Sequence, residues 1–103
     1  AAVKHGVKRF THCSTTSVLG DIKSPPADED TPCASSDIYD ITKAHGERSA
    51  LSFNGKAGLE VVVVRPAMVY GPGDLRRLRF FRDIAHECFR MVGTGKTLVH
   101  PIY

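Results

Sequence analysis

The sequence predicts an α/β fold: part of a doubly wound parallel sheet, its C-terminal half, made of a βαβ unit and a following helix. Three observations predict it. A strand-like run, Val7 to Cys13, is followed after a long loop by a helical pattern from about Asp37 to Asn54. Glu60 to Arg65 then contains four consecutive valines, the signature of a strand buried on both faces of a parallel sheet. Strand, helix and strand in that order make a crossover, which is expected to be right-handed.

Each element has local reasons. Gly6 ends an opening helical tail, Ala1 to His5. The loop Ser17 to Asp37 carries Gly20, Pro25, Pro26 and Pro32 and the acidic run Asp28-Glu29-Asp30. A loop of that length is usually functional. Ser35, Ser36 and Asp37 supply N-cap side chains for the helix, and Gly55 and Gly58 close it. Its expected packing residues are Ile38, Ile41, Ala44, Leu51 and Phe53. Pro66 stops the second strand. A second amphipathic helix is expected over Leu75 to Phe89, with Leu75, Leu78, Phe81, Ile84, Ala85 and Cys88 on one side. A short strand is expected near Thr97 to His100.

Composition sets bounds. The 103 residues suffice for one small domain, and a net charge of +3 implies no nucleic-acid partner. Cys13, Cys33 and Cys88 are odd in number and lack metal-site spacing, which fits a reducing, cytoplasmic setting better than a disulfide framework. Cys13 is expected to pack rather than react. No apolar run approaches the roughly 18 residues of a membrane span. The abrupt start and stop read as those of an internal piece of a longer protein.

Tyr39 and Lys43 stand four positions apart at the start of the crossover helix, so both emerge from one helical face. A phenol beside a fixed ammonium can serve as an acid or base. Ser14, Thr15 and Thr16 end the first strand, and Pro66 to Tyr70 follow the second. In open α/β sheets ligands lie beyond the carboxyl ends of the strands. Three separate segments therefore converge on one rim, and the chemistry they suit is proton and hydride transfer at an alcohol or ketone carbon.

Other stretches of the sequence point to no further site. Gly95-Lys96-Thr97 is no P-loop, because Arg90 stands where its first glycine belongs. Asp28, Glu29 and Asp30 read as a solvated loop rather than a metal site. Arg76, Arg77, Arg79 and Arg82 suit a solvated face better than a diphosphate site. The five histidines lack ligand spacing, and His12 sits in the first strand as a candidate for burial.

The ordered set Val7-Lys-Arg-Phe10, Ser14-Thr15 with Val18-Leu-Gly20, Asp28-Glu-Asp-Thr-Pro32, Tyr39-x-x-x-Lys43, Arg65-Pro66 and Val69-Tyr-Gly-Pro72 resembles the extended short-chain dehydrogenase/reductase family, in its epimerase and dehydratase branch. Gly93-x-Gly95 and His100-Pro101 also look like that family, so the resemblance runs over nearly the whole chain. It implies a Rossmann-type domain over residues 1–103, with residues 75–103 opening a substrate-binding region. It implies NAD or NADP as cofactor and Tyr39 as the catalytic acid/base. Lys43 would bind the nicotinamide ribose and favour the phenolate, and Thr15 would hydrogen-bond the reacting oxygen. Ser14, Pro66, Ala67 and Val69 would line the cofactor; Thr16, Tyr70 and Arg76 would face the substrate.

Two departures stand out. Leu19 replaces a tyrosine frequent in the family. The glycine-rich phosphate fingerprint is missing, because Arg76 and Leu98 stand where Gly71-x-Gly73 and Gly93-x-Gly95 would need their third glycine. That fingerprint is expected upstream of Ala1, so this piece alone is not expected to hold the cofactor. The resemblance implies an enzyme acting on a small molecule such as a nucleotide sugar, with a homodimer as one assembly it allows. A net oxidoreductase of steroid-like or other bulky alcohols and a non-catalytic cofactor sensor are the competing readings.

Overall fold

The computed structural model describes residues 1–96 and 99–103. They form two compact units, Ala1–Pro66 and Ala67–Tyr103.

The first unit is the βαβ crossover. Strand β1 (Arg9–Cys13) and strand β2 (Glu60–Val64) pair in parallel, with Arg9 opposite Glu60 and Cys13 opposite Val64. Helix α1 (Ile38–Leu51) connects them and packs on one face of the pair. Asp37 caps it, its carboxylate accepting from the Tyr39 amide at 2.8 Å. Past the helix, Asn54 Oδ1 accepts from the Val61 amide at 2.8 Å, which ties the end of the crossover to β2. The connection between β1 and α1 opens with a short 3-10 turn, Thr16–Leu19, capped by Thr15.

Val18 and Leu19, in that turn, bury against Ala44 of α1, with Ala27 packed alongside. Leu59 and Val61 are the other buried apolar residues of the unit among those described. Two expectations about this core need correction. The valine run is covered on one face only: Val61 is buried and Val63 half-buried, whereas Val62 and Val64 are 37% and 45% exposed. The reason is that α1 packs on one side of the strand pair, and side chains alternate across it. Helix α1 also turns a different face inward. Ile38, Ile41, Leu51 and Phe53 are exposed; Asp40, Ala44 and Glu47 are buried. Two carboxylates occupy that inner stripe because each finds partners there. Cys13, expected to pack, is exposed, since its odd-numbered position on β1 faces away from α1.

Gly46 lets α1 approach β1 closely: a Cβ there would lie 3.0 Å from His12 Nε2. That nitrogen is buried without a hydrogen-bond partner among the described residues.

The second unit contains a two-residue parallel pair, β3 (Met68–Val69) with β4 (Pro101–Ile102), and helix α2 (Leu75–Ala85). Asp74 caps α2, accepting from the amides of Arg76 and Arg77. The helix ends four residues earlier than its apolar pattern predicts, at His86, where the backbone leaves helical geometry. None of its residues is buried. The Tyr70 ring lies 6.0 Å from that of Phe81 and 5.6 Å, edge-on, from that of Tyr103. The expected strand at Thr97 to His100 falls partly on Thr97 and Leu98, outside the described residues; the observed strand is Pro101–Ile102.

Gly20 closes the 3-10 turn at φ 64°, ψ −142°. A Cβ there would come within 2.9 Å of the Ala34 carbonyl carbon and the Ser35 amide nitrogen. Both obstacles are main chain, so neither can swing aside. Gly20→Ala is expected to destabilise the protein by roughly 1–3 kcal/mol through backbone strain and displacement of the Ala34–Ser35 segment. Urea unfolding of the variant against wild type measures it.

Candidate active site

Every side chain of the candidate site in the first unit hangs from the carboxyl end of β1, the start of α1, or the two residues after β2, Arg65 and Pro66. Parallel pairing sets this up: the Ser14 amide donates to the Val64 carbonyl at 2.8 Å, so the two strand ends lie level. The Thr16 amide then donates to the Pro66 carbonyl at 3.0 Å, and its hydroxyl reaches the same oxygen at 3.4 Å. Ser14, Thr15, Thr16 and Pro66 are thereby held at one edge.

Tyr39 and Lys43 meet that edge from α1. The Lys43 ammonium donates to the Cys13 carbonyl at 3.1 Å, directly before Ser14 and Thr15. It also stands 5.7 Å from the centroid of the Tyr39 ring. One turn of helix separates the two residues, so the ammonium sits beside the phenol while anchored to the strand end. Tyr39 is 55% exposed and free to meet a ligand. Lys43 spends one N–H on Cys13 and keeps two donors for a ligand's hydroxyls.

Behind this rim lies a polar layer that the sequence did not reveal. Glu47, one turn beyond Lys43, is 3% exposed. It accepts two hydrogen bonds from Arg65, Nε to Oε1 at 2.9 Å and Nη2 to Oε2 at 2.7 Å. The Arg65 hydrogen bonds hold the Glu47 carboxyl below the ordinary glutamate range; burial opposes this, and the Ser14 dipole and the charges of Arg65 and His12 assist. The same pairing raises Arg65 above its already high value. Among the described residues Ser14 Oγ has no hydrogen-bond partner and is buried, so its effect on Glu47 is that of a nearby dipole. A glutamate four residues after the lysine, with an arginine closing the next strand, was the available signal.

Asp40, next to Tyr39, is likewise buried. Its Oδ1 accepts from Ser17 Oγ at 2.5 Å and its Oδ2 from Ser35 Oγ at 2.7 Å. Ser17 Oγ in turn lies 2.9 Å from Thr15 Oγ1.

Ala67, Val69, Tyr70 and Arg76 belong to the second unit. Tyr70 is half-buried among aromatic rings, and the Arg76 side chain is 91% exposed, 4.0 Å from Asp74. Among the described residues no group of three or more histidine, cysteine, aspartate or glutamate side chains could hold a metal ion. Nor is any helix among them long and apolar enough to cross a membrane.

A parallel βαβ crossover with a tyrosine and lysine on its helix and hydroxyls at its strand end defines a Rossmann-like α/β protein of the nicotinamide-dependent class. Comparison with known proteins agrees. The model of the NAD dependent epimerase/dehydratase family matches residues 1–100. The chain is 42% identical over 72 residues to a dTDP-glucose 4,6-dehydratase of Streptomyces niveus, covering 70% of this chain and 21% of that protein. It is 40% identical over 78 residues to 3beta-hydroxysteroid-dehydrogenase/decarboxylase isoform 1 of Arabidopsis thaliana, covering 72% and 18%. With a UDP-glucose 4-epimerase of Vibrio cholerae it shares 36% identity over 75 residues, covering 70% and 23%. The chain belongs to the NAD-dependent epimerase/dehydratase family, within the extended short-chain dehydrogenases/reductases. It spans about a fifth of the length of these curated relatives.

Glu47→Gln is expected to cost on the order of 3 kcal/mol at pH 7, because it leaves Arg65 half-buried without a counter-charge. The pH dependence has a definite sign. The folded state holds the Glu47 carboxyl low, so its stabilisation is complete above the ordinary glutamate value of about 4.3 and is lost as pH falls through the lower folded value. Urea unfolding of wild type and variant across that range should show their difference shrinking with acidification.

Proposed function

We propose that this chain carries the acid/base centre of an NAD(P)-dependent nucleotide-sugar epimerase or dehydratase. The observation that supports it best is the Lys43 ammonium, placed beside the Tyr39 ring while bonded to the strand end that presents Thr15. The dehydratase and epimerase relatives supply the substrate class.

The residues present suit the nicotinamide end of such a cofactor. Among the described residues Lys43 has two unspent N–H donors for ribose hydroxyls, and Ser14 Oγ is a buried hydroxyl with no hydrogen-bond partner. Pro66, held through its carbonyl by Thr16, would form one wall. When bound, the nicotinamide supplies a hydride acceptor and donor.

Tyr39 does the proton work. The Lys43 ammonium, one helical turn away and 5.7 Å from the ring centroid, stabilises the negative charge that develops on the phenol oxygen in the transition state. In the oxidative direction Tyr39 Oη takes the proton of the substrate hydroxyl; in the reverse direction it returns one to the carbonyl oxygen. Thr15, at the end of β1, hydrogen-bonds the reacting oxygen, orienting and polarising it. Thr16, Tyr70 and Arg76 remain the proposed substrate contacts, and Ala67 and Val69 proposed cofactor contacts. We further propose residues 75–103 as the opening of the substrate-binding region, a cytoplasmic setting and a homodimer.

A second reading has an observation behind it. The identity with a 3beta-hydroxysteroid-dehydrogenase/decarboxylase is nearly as high, and the same Tyr39–Lys43 pair would serve net oxidation of a steroid-like alcohol. The two readings separate in an assay of the full-length protein. UDP-glucose and dTDP-glucose should be turned over without net NADH accumulation, whereas a sterol oxidase would accumulate NADH with a sterol and ignore both sugars. Tyr39→Phe is expected to lower kcat by at least about a thousandfold while cofactor binding, followed by fluorescence quenching, stays intact. Wild-type turnover in that variant would remove Tyr39 from the mechanism.

A further inference from the structure

Two charged side chains, one helical turn apart on α1, fasten that helix to the ends of the two paired strands. Lys43 reaches the end of β1, where its ammonium donates to the Cys13 carbonyl at 3.1 Å. Glu47 reaches the residue after β2, where Arg65 donates to both its oxygens, at 2.9 and 2.7 Å. The strand ends are level with each other, since Cys13 lies opposite Val64. The two fastenings differ in strength. Lys43 is half-buried and makes one bond, to a neutral carbonyl, through a stem with many rotamers. Glu47 is 3% exposed and is held by a planar fork, whose paired bonds fix angle as well as distance. The weaker fastening belongs to the side chain that meets the ligand.

We propose that Arg65, by holding Glu47, is a positioning residue for Lys43: the pair sets the height of α1 along the two strands, and with it the point on the rim where the ammonium meets the cofactor ribose. The inference rests on the reading of Lys43 as the ribose-binding residue given above. Neither Arg65 nor Glu47 needs to touch cofactor or substrate. A slip of α1 by ~1.5 Å, the rise of one residue, is enough to take the 3.1 Å bond from Lys43 to Cys13 out of hydrogen-bonding range. Apolar packing does little to resist such a slip in the middle of the helix. Gly46, which faces His12 of β1 there, has no side chain to interlock with the strand. The buried apolar contacts of Val18 and Leu19 are with Ala44, nearer the start of α1. The guanidinium fork supplies the resistance. Lysine at position 65 would keep the charge opposite Glu47 and lose the fork. A residue that only stabilises the fold behaves differently: its loss lowers the folded fraction but leaves Lys43 as useful as before in every molecule that is folded.

The test is a double-mutant cycle in the full-length protein. It is read as calorimetric affinity for NAD or NADP, whichever wild type binds more tightly, at a temperature where circular dichroism shows every variant folded. Lys43→Met in the wild-type background is expected to weaken cofactor binding about tenfold, the value of a charge-assisted hydrogen bond. In an Arg65→Lys background the same change is expected to cost about threefold or less, because the ammonium is already displaced. Glu47→Asp keeps the carboxylate and shortens its reach by one methylene. It should narrow the effect of Lys43→Met in the same way, and it carries the test if Arg65→Lys does not fold. An undiminished loss on Lys43→Met in these backgrounds would overturn the proposal, since the pair would then act on stability alone. No loss on Lys43→Met in the wild-type background would overturn the reading of Lys43, and the proposal with it. Failure of the ribose contact and failure of the positioning role are thus told apart, and neither measurement depends on which substrate is turned over.

Discussion

The buried pair of Glu47 and Arg65 is the constraint on which the first unit depends. Arg65 directly follows β2, and Glu47 lies one turn beyond Lys43 on α1. Two charge-assisted hydrogen bonds therefore lock the crossover helix to the carboxyl end of the second strand. A sheet of two strands, covered on one face, has little apolar surface with which to fix that helix. Val18, Leu19 and Ala44 seat its beginning, but its middle faces the strands with a glycine against His12 and a carboxylate against Arg65. Burying a lone carboxylate would cost several kcal/mol. Its low position against Arg65, with Ser14 and His12 nearby, shows how that cost is offset.

From that lock the site geometry follows in short steps. Fixing α1 along its axis fixes where Lys43 reaches the Cys13 carbonyl. Lys43 then brings its charge beside Tyr39, while Thr16 and Pro66 hold the strand ends together. Asp40 adds a second tie from the same helix, through Ser17 and Ser35, to both ends of the loop that follows β1. The inner face of α1 thus serves two purposes. Where a helix of a small domain usually buries aliphatic side chains, this one buries two acids, each holding a segment of the rim.

Much of this was legible in the residues, and the parts that were not share a cause. The βαβ order, the Asp37 cap and the placing of Tyr39 beside Lys43 were readable because each depends on local chemistry: valine runs, an N-cap side chain, a spacing of one helical turn. Apolar periodicity points to a face of α1 other than the one that is buried. Ile38, Ile41, Leu51 and Phe53 satisfy that periodicity yet lie exposed. Burial of Asp40 and Glu47 depends on partners 23 and 18 residues away, Ser17 and Arg65, and a period within one helix carries no information about them. The valines misled in the opposite direction: β-branched side chains suit a doubly covered strand, but coverage is supplied by other elements. Helix α2 ended early for a similar reason, since its apolar side chains gain no burial in their own unit.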